Sequence, residues 1–246
     1  MKIEVFTFCW NERDILPWAM ASWRRYADRV TVFDNGSNDG SREMLQAYGC
    51  KVEDVRSDHL DNKWLRDMKN ECWKYARKRA DLVVVADMDE IIGGRDPRRE
   101  LERMHQEGGT VCRLKWYNLM WDERPAIVSG QTVEQSNPLC CYDEHPKTLV
   151  FNPNTVGNIN YGMGAHQSDP KGVLRWWEGG VYLFHVNHGL SLADRIADYK
   201  RLDERRGQND RARGFGCHYG FSESRIRQEW AAARAKAVNL RQVLPQ

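Results

Sequence analysis

Apolar positions along the first ninety residues change period repeatedly, and each change marks an element. Residues 3–8 (Ile-Glu-Val-Phe-Thr-Phe) read as a strand, followed by a polar loop over 9–14. Ile15, Trp18, Ala19, Ser22, Trp23 and Tyr26 then fall at helical spacing across 15–27, with Pro17 in the first turn, where proline is tolerated. Residues 30–33 (Val-Thr-Val-Phe) predict a second strand, ending in a loop of turn formers over 34–41. A helix from Ser41 to about Tyr48, a short strand at 52–55, a helix over 62–79 and a strand over 82–86 follow. Three strand–helix alternations in a row imply a parallel, doubly wound sheet. Beyond it, a helix at 98–107 and strands near 110–115, 126–134 and 147–151 suggest a mixed half. Residues 152–180 read as long loops, 181–186 as a last strand, and 191–206 and 222–240 as closing helices.

The stretch 82–92 (Leu-Val-Val-Val-Ala-Asp-Met-Asp-Glu-Ile-Ile) carries the first chemistry. A Val-rich run of this kind is buried on both faces. Asp87 and Asp89 then stand at its carboxyl end, where open α/β sheets bind ligands. On extended backbone, positions i and i+2 share a face. Such a carboxylate pair suits a hard divalent cation with a pyrophosphate on its far side. Turn formation or helix capping is the competing account of the same aspartates.

Bulk properties narrow the field. A chain of 246 residues can bury a full core, and its 37 basic and 35 acidic residues nearly cancel, so electrostatics demand no nucleic acid. The Arg-rich stretches 195–213 and 225–241 read first as solvated helix faces, ahead of contact with an anionic surface. Seven cysteines without a Cys-x-x-Cys spacing argue against zinc and for free thiols in a reducing cytosol. The N-terminus turns polar too quickly for a signal peptide, and no run is long enough to span a membrane. A cytosolic protein is expected, with any membrane association peripheral. No Gly-x-Gly-x-x-Gly or Gly-x-x-x-x-Gly-Lys occurs, which removes dinucleotide and P-loop chemistry. Ten tryptophans include Trp116, Trp121 and the pair Trp176-Trp177. Core packing and sugar-stacking platforms both account for them.

Several segments together resemble family 2-like glycosyltransferases of the GT-A fold. Trp10-Asn11-Glu12 with Leu16-Pro17-Trp18 is similar to that family's Asn-Glu…Leu-Pro opening. The loop from Asp34 to Ser41 is similar to its Asp-x-x-Ser-x-Asp-x-Ser segment. Lys69-Asn70-Glu71-Cys72-Trp73 and Ala86-Asp87-Met88-Asp89-Glu90 are similar to its helix and Asp-x-Asp block. The order and spacing over 3–92 carry the resemblance, which fades over 95–140 and returns loosely at 143–191.

The resemblance implies a mixed, mostly parallel α/β sheet flanked by helices, with helices at the C-terminus. It implies one domain over 1–246, in which 1–95 bind nucleotide, 96–190 bind acceptor and 191–246 close the fold. The implied activity is transfer of a sugar from a nucleotide sugar, UDP first, with Mn2+ or Mg2+. Phe8, Trp10, Asn11 and Glu12 would line the base pocket, with Trp10 stacked on uracil, and Asp34 would meet base or ribose. Arg66 or Lys69 would neutralise diphosphate charge; Asp87 would reach ribose and metal, and Asp89 the metal. His185 is the first choice for a late metal ligand, ahead of His188. An inverting enzyme would draw its base from Asp143, Glu144 and Glu134. Trp116, Trp121, His166 and Trp176 are the expected acceptor contacts. The acceptor stays open among a glycan, a lipid-linked oligosaccharide, a protein and a modified nucleobase. A nucleotidyltransferase, a phosphohydrolase and a non-catalytic nucleotide- or sugar-binding module remain as alternatives.

Overall fold

The computed structural model describes residues 1–57, 59–144, 146–186 and 190–244. In chain order the first elements are β1 (Ile3–Cys9), α1 (Leu16–Trp23), β2 (Arg29–Asp34), α2 (Ser41–Ala47), β3 (Lys51–Asp54), α3 (Asn62–Glu71) and β4 (Leu82–Asp87). Next come β5 (Glu90–Gly93), α4 (Pro97–Gln106), β6 (Val111–Cys112), β7 (Lys115–Met120), β8 (Leu139–Asp143) and β9 (Val150–Phe151). The remainder comprises β10 (Val156–Asn158), β11 (Lys171–Gly172), β12 (Trp176–Trp177), β13 (Tyr182–His185), α5 (Leu192–Arg205), α6 (Gln208–Arg213), α7 (Glu223–Lys236), β14 (Val238–Asn239) and α8 (Leu240–Val243).

Two sheets meet at one turn. The larger runs β12-β6-β9-β4-β1-β2-β3, and the smaller runs β14-β8-β7-β13-β5. β1 pairs in parallel with both β2 and β4, so Cys9, Asp34 and Asp87 reach the same end of the sheet. β1 and β4 are buried almost throughout, as a strand covered by helices on both faces must be. β4 belongs to the larger sheet and β5 to the smaller, with only Met88 and Asp89 between them. The smaller sheet therefore begins where the central strand of the larger one ends.

Caps fix the helices. The Asp61 carboxylate accepts from Trp64 N at 2.9 Å to start α3, and Asp96 starts α4 just before Pro97. Ser191 caps α5 and Ser222 caps α7 in the same way. The helix expected over 62–79 stops at Glu71 and tightens into a 3₁₀ turn, Cys72–Ala76. That tightening buries Trp73 edge-on against Phe151, ring centroids 4.9 Å apart, with the Arg77 guanidinium over its indole.

The C-terminal half departs further from expectation. The strand expected over 126–134 is a loop ending in a 3₁₀ turn, Val133–Ser136, held by reciprocal Thr132 and Gln135 capping bonds. The aromatic run 116–121 is strand β7 and its end, not a loop, and Trp116 and Trp121 are buried. Trp121 stacks on Trp18 at 5.2 Å and donates to Ser136. Both indoles are buried, so neither presents an open ring face to an acceptor. Among the described residues no helix is long and apolar enough to cross a membrane.

Trp121→Ala is expected to cost about 3–5 kcal/mol of stability in urea denaturation. A loss below about 1 kcal/mol would return Trp121 to the surface role expected from its sequence.

Candidate active site

The β4–β5 turn is built on a buried ion cluster. Lys69 Nζ, from α3, donates to both Asp87 oxygens at 2.5 and 2.7 Å. Lys147 Nζ donates to Asp87 at 3.1 Å and to Glu90 at 2.5 Å. The other Glu90 oxygen accepts from the Asp87 backbone N–H at 2.7 Å, closing the turn. Burial alone would raise the Asp87 carboxyl, but Lys147 and Lys69 outweigh it and hold it far below the carboxylate range. Burial opposes charge on Lys147 too, yet Asp87 and Glu90 raise its pKa. For Lys69 the balance goes the other way, and burial pulls its pKa down.

Beyond Asp87 the chain reverses, and Asp89 faces His185 of the smaller sheet. The two aspartates thus do not share one face of an extended segment, because Met88 and Asp89 form the turn itself. Val186 N–H donates to the Asp89 carbonyl at 2.9 Å, tying the turn to the end of β13. His185 lies between Glu90 of β5 and Asn118 of β7 in strand register. Its Nε2 stands 3.4 Å from Asp89 Oδ2, and its Nδ1 2.9 Å from Asn118 Oδ1. Asn118 in turn donates to Asp143 at 3.0 Å. Burial, then the neighbouring Asp89, pushes the Glu12 carboxyl well above its ordinary range.

Among the described residues no three His, Cys, Asp or Glu side chains converge closely enough to hold a metal ion unaided. Two do present a matching pair. Ligands each about 2.1 Å from one hard cation stand about 3.0–3.4 Å apart. The Asp89 Oδ2 to His185 Nε2 separation of 3.4 Å fits that bite. Magnesium-type ions commonly use one or two protein ligands and complete their shell with substrate phosphates and water. The pair therefore suits a divalent ion delivered with a diphosphate.

The other expected site residues divide. Phe8 stacks on Phe33 at 5.1 Å and lies under the Lys69 ammonium. The Asn11 amide donates to Asn38 Oδ1 and accepts from the Asn38 backbone N–H, and Glu12 N–H donates to Ser41 Oγ, so the loops after β1 and β2 are stapled together. Asp34 is buried, its oxygens taken by Arg42 at 3.0 Å and by Ser37 N–H at 3.3 Å, so it shapes the loop instead of facing a ribose. The Trp10 ring is stacked by guanidiniums, Arg205 at 3.8 Å and Arg201 at 4.8 Å from its centroid, where a uracil was expected. Lys69 is spent on Asp87 and wholly buried, and the Arg66 guanidinium is held by Asp67 and by Met163 Sδ. Neither is left facing a diphosphate, and both Asp87 oxygens are engaged by its two ammonium partners.

The remaining candidates scatter. Glu134 accepts from Gly94 N–H at 3.1 Å, at the far end of β5 from Asp89, and lines a separate cavity with Arg25, Arg99 and Arg103. It is no base for this site. Asp143 ends β8 beside Asn118, and Glu144 follows it on the surface. Trp176 is exposed on the edge strand β12, three strands from β4 and level with Val83, so it does not face Asp89. His166 is exposed after the 3₁₀ turn Met163–Ala165, which packs on α3. His188 and His145 lie outside the described residues.

Sequence reasoning missed Glu90, Lys147, Asn118, Arg201, Arg205 and Tyr219. Arg201 donates to the Asn11 carbonyl at 3.1 Å and Arg205 to that of Asn35 at 3.4 Å, so α5 closes on the loops after β1 and β2. Burial, followed by Arg201, lowers the Arg205 pKa to about 10. Tyr219 lies close enough for Asp89, Asp87 and Glu12 to add to the burial that raises its phenol. Glu90 closes the acidic motif, and Arg201 and Arg205 lie in the Arg-rich stretch 195–213 that read first as a solvated helix face.

With this geometry in place, residues 4–144 match glycosyl transferase family 2. The chain belongs to that family. Its α/β architecture, two sheets meeting at the acidic turn, is the GT-A arrangement expected for family 2. No curated protein matches the chain. The structure of S. aureus TarS 1–349 superposes with a TM-score of 0.43 and 12% identity, covering 83% of this chain and 65% of that one. The complex of TarS 1–349 with UDP gives 0.39 and 17%, covering 54% and 38%. Glucosyl-3-phosphoglycerate synthase from Mycobacterium tuberculosis, with Mn2+, UDP and glucosyl-3-phosphoglycerate, gives 0.31 and 20%, covering 47% and 44%. The family 2 chain described here thus spans 38% to 65% of these TarS chains' lengths.

Lys147→Met leaves Glu90 buried without its cation and is expected to cost about 3–5 kcal/mol in urea denaturation; a loss under about 1 kcal/mol would contradict the cluster's role. The pH dependence has a definite sign. Because the folded Asp87 pKa is depressed, its stabilisation is present above the unfolded carboxylate value of about 4 and is lost as pH falls through the folded one. Thermal midpoints measured from pH 6 downward should therefore fall below about pH 4, and fall less in Asp87→Asn.

Proposed function

We propose that this chain transfers a sugar from a nucleoside-diphosphate sugar, with UDP as the nucleotide, to an acceptor hydroxyl, assisted by Mn2+ or Mg2+. Family membership supports glycosyl transfer, and one observation carries the metal assignment. Asp89 Oδ2 and His185 Nε2 stand 3.4 Å apart at the carboxyl end of the central parallel strand. Asp89 and His185 would hold the cation, with diphosphate oxygens completing its shell. The chemistry supplied there, when such an ion is bound, is Lewis-acid stabilisation of the departing diphosphate.

The chain's own residues would do the rest. The loops after β1 and β2, stapled through Asn11, Ser37 and Ser41, form the floor under the nucleotide. Phe8 near the end of β1 and Glu12 in the loop after it flank that floor, and Arg201 and Arg205 bring positive charge to the same loops from α5. Lys69, Lys147 and Glu90 hold the turn rigid, so that Asp89 is aimed before the donor arrives. Asp143, exposed at the end of β8 and fixed by Asn118, would take the acceptor proton. The acceptor remains any hydroxyl-bearing glycan, lipid-linked oligosaccharide, protein or modified nucleobase that reaches this edge.

A donor panel scored for UDP and GDP release, with Mn2+ or EDTA, tests the proposal. Nucleoside diphosphate is expected only with metal and acceptor. Release of pyrophosphate would indicate a nucleotidyltransferase, and of inorganic phosphate a phosphohydrolase; binding without turnover would indicate a non-catalytic module. Asp89→Asn should lose most turnover at saturating donor while its stability stays within about 1–2 kcal/mol of wild type. His185→Ala should need far more Mn2+ for half-maximal rate. An unchanged Mn2+ titration for His185→Ala would remove it from the site.

A further inference from the structure

The chain of contacts behind His185 fixes more than its position. Trp116 and Asn118 are two residues apart on β7 and so share a face. The Trp116 indole N–H, which can only donate, points at Asn118 Oδ1 at 3.0 Å. That contact identifies the oxygen end of the amide. The nitrogen end then donates to Asp143 Oδ2 at 3.0 Å, and the two contacts agree on one orientation.

His185 completes the logic. Its Nδ1 lies 2.9 Å from the same Asn118 oxygen, an atom that only accepts, so Nδ1 must carry a proton. In the neutral ring the lone pair is then on Nε2, which faces Asp89 Oδ2 across 3.4 Å. Two acceptors confront each other there, an arrangement that a cation between them relieves. The Trp116 ring, edge-on to the imidazole at 4.9 Å and 80°, limits its rotation. Strand register places His185 directly opposite Asn118, so backbone pairing sets the distance between them.

We infer that Asn118 is a positioning residue for the metal site: by accepting from Nδ1–H it holds the His185 Nε2 lone pair toward Asp89. This rests on the metal-assisted reading above. Without the Asn118 oxygen, the proton can move to Nε2 and donate to Asp89, which removes the lone pair that a metal needs. Outer hydrogen bonds of this kind typically change metal affinity by about 10–100-fold.

The test reads Mn2+ binding, not turnover. Free Mn2+ is followed by electron paramagnetic resonance in the full chain with UDP present, for wild type, Asn118→Leu, Asn118→Asp and the double variant Asn118→Asp with Asp143→Asn. Asn118→Leu should weaken Mn2+ binding by about 10–100-fold. Asn118→Asp alone sets two carboxylates against each other and should also weaken it. The double variant restores a donor facing an acceptor and should return close to wild type. UDP affinity in EDTA should be the same for all four, which a general loss of structure would not allow. In parallel, 15N NMR of the metal-free wild type, with His185→Ala identifying the signal, should show the Nδ1–H tautomer.

Wild-type Mn2+ affinity in Asn118→Leu, with weakened binding in His185→Ala, would overturn the inference and leave the proposed function standing. An Nε2–H tautomer in the wild type would overturn it even if the variants failed to fold. Unchanged Mn2+ affinity in both His185→Ala and Asp89→Asn would instead overturn the metal reading itself.

Discussion

Two buried lysines, a buried glutamate and a partly buried aspartate, paired at the end of the central strand, organise this molecule. Charges taken out of water cost several kcal/mol each unless every one is paired. Lys69, Lys147, Asp87 and Glu90 meet that condition as a closed set, each oxygen and ammonium having a partner within the cluster or in the adjacent backbone. The cluster draws on α3, the β4–β5 turn and the segment before β9, elements far apart in sequence. Its consequence is mechanical. With Asp87 and Glu90 immobilised, the intervening turn has little freedom, and Asp89 is delivered against His185.

The two sheets share this turn, and that sharing explains the division of labour. The larger parallel sheet brings the loops after β1 and β2 to one edge, with Asn11, Ser37, Asn38 and Ser41 binding them to each other. The smaller sheet contributes His185, Asn118 and Asp143 from three neighbouring strands. Helix α5 then crosses back, placing Arg201 and Arg205 on Trp10. On the proposed function, donor-facing and acceptor-facing groups would come from different sheets and meet at the Asp89–His185 gap.

The parts legible in the sequence were local ones. The Val-rich strand running into Asp87 and Asp89 and the turn-forming loop at 34–41 are each contained in a dozen residues, and the structure places both at one sheet edge. His185 could be proposed because it ends an apolar strand. What failed depended on partners distant in the chain. Trp116 and Trp121 looked like a polar-flanked platform, but His185 packs edge-on against one and Trp18 stacks on the other. Trp10 looked free for a base, yet its partners come from a helix nearly two hundred residues later. Lys69 was expected to meet a diphosphate, and only its pairing with Asp87, eighteen residues on, shows why it is buried. The same-face argument for Asp87 and Asp89 failed because the strand ends between them and the chain turns.

The account stands or falls on where a divalent ion sits with the nucleotide. A crystal structure with UDP and Mn2+, using the anomalous signal of manganese, measures that directly. The ion is predicted to lie about 2.1 Å from both Asp89 Oδ2 and His185 Nε2, with diphosphate oxygens in its remaining positions. Manganese bound elsewhere, or a diphosphate remote from the β4–β5 turn, would contradict it.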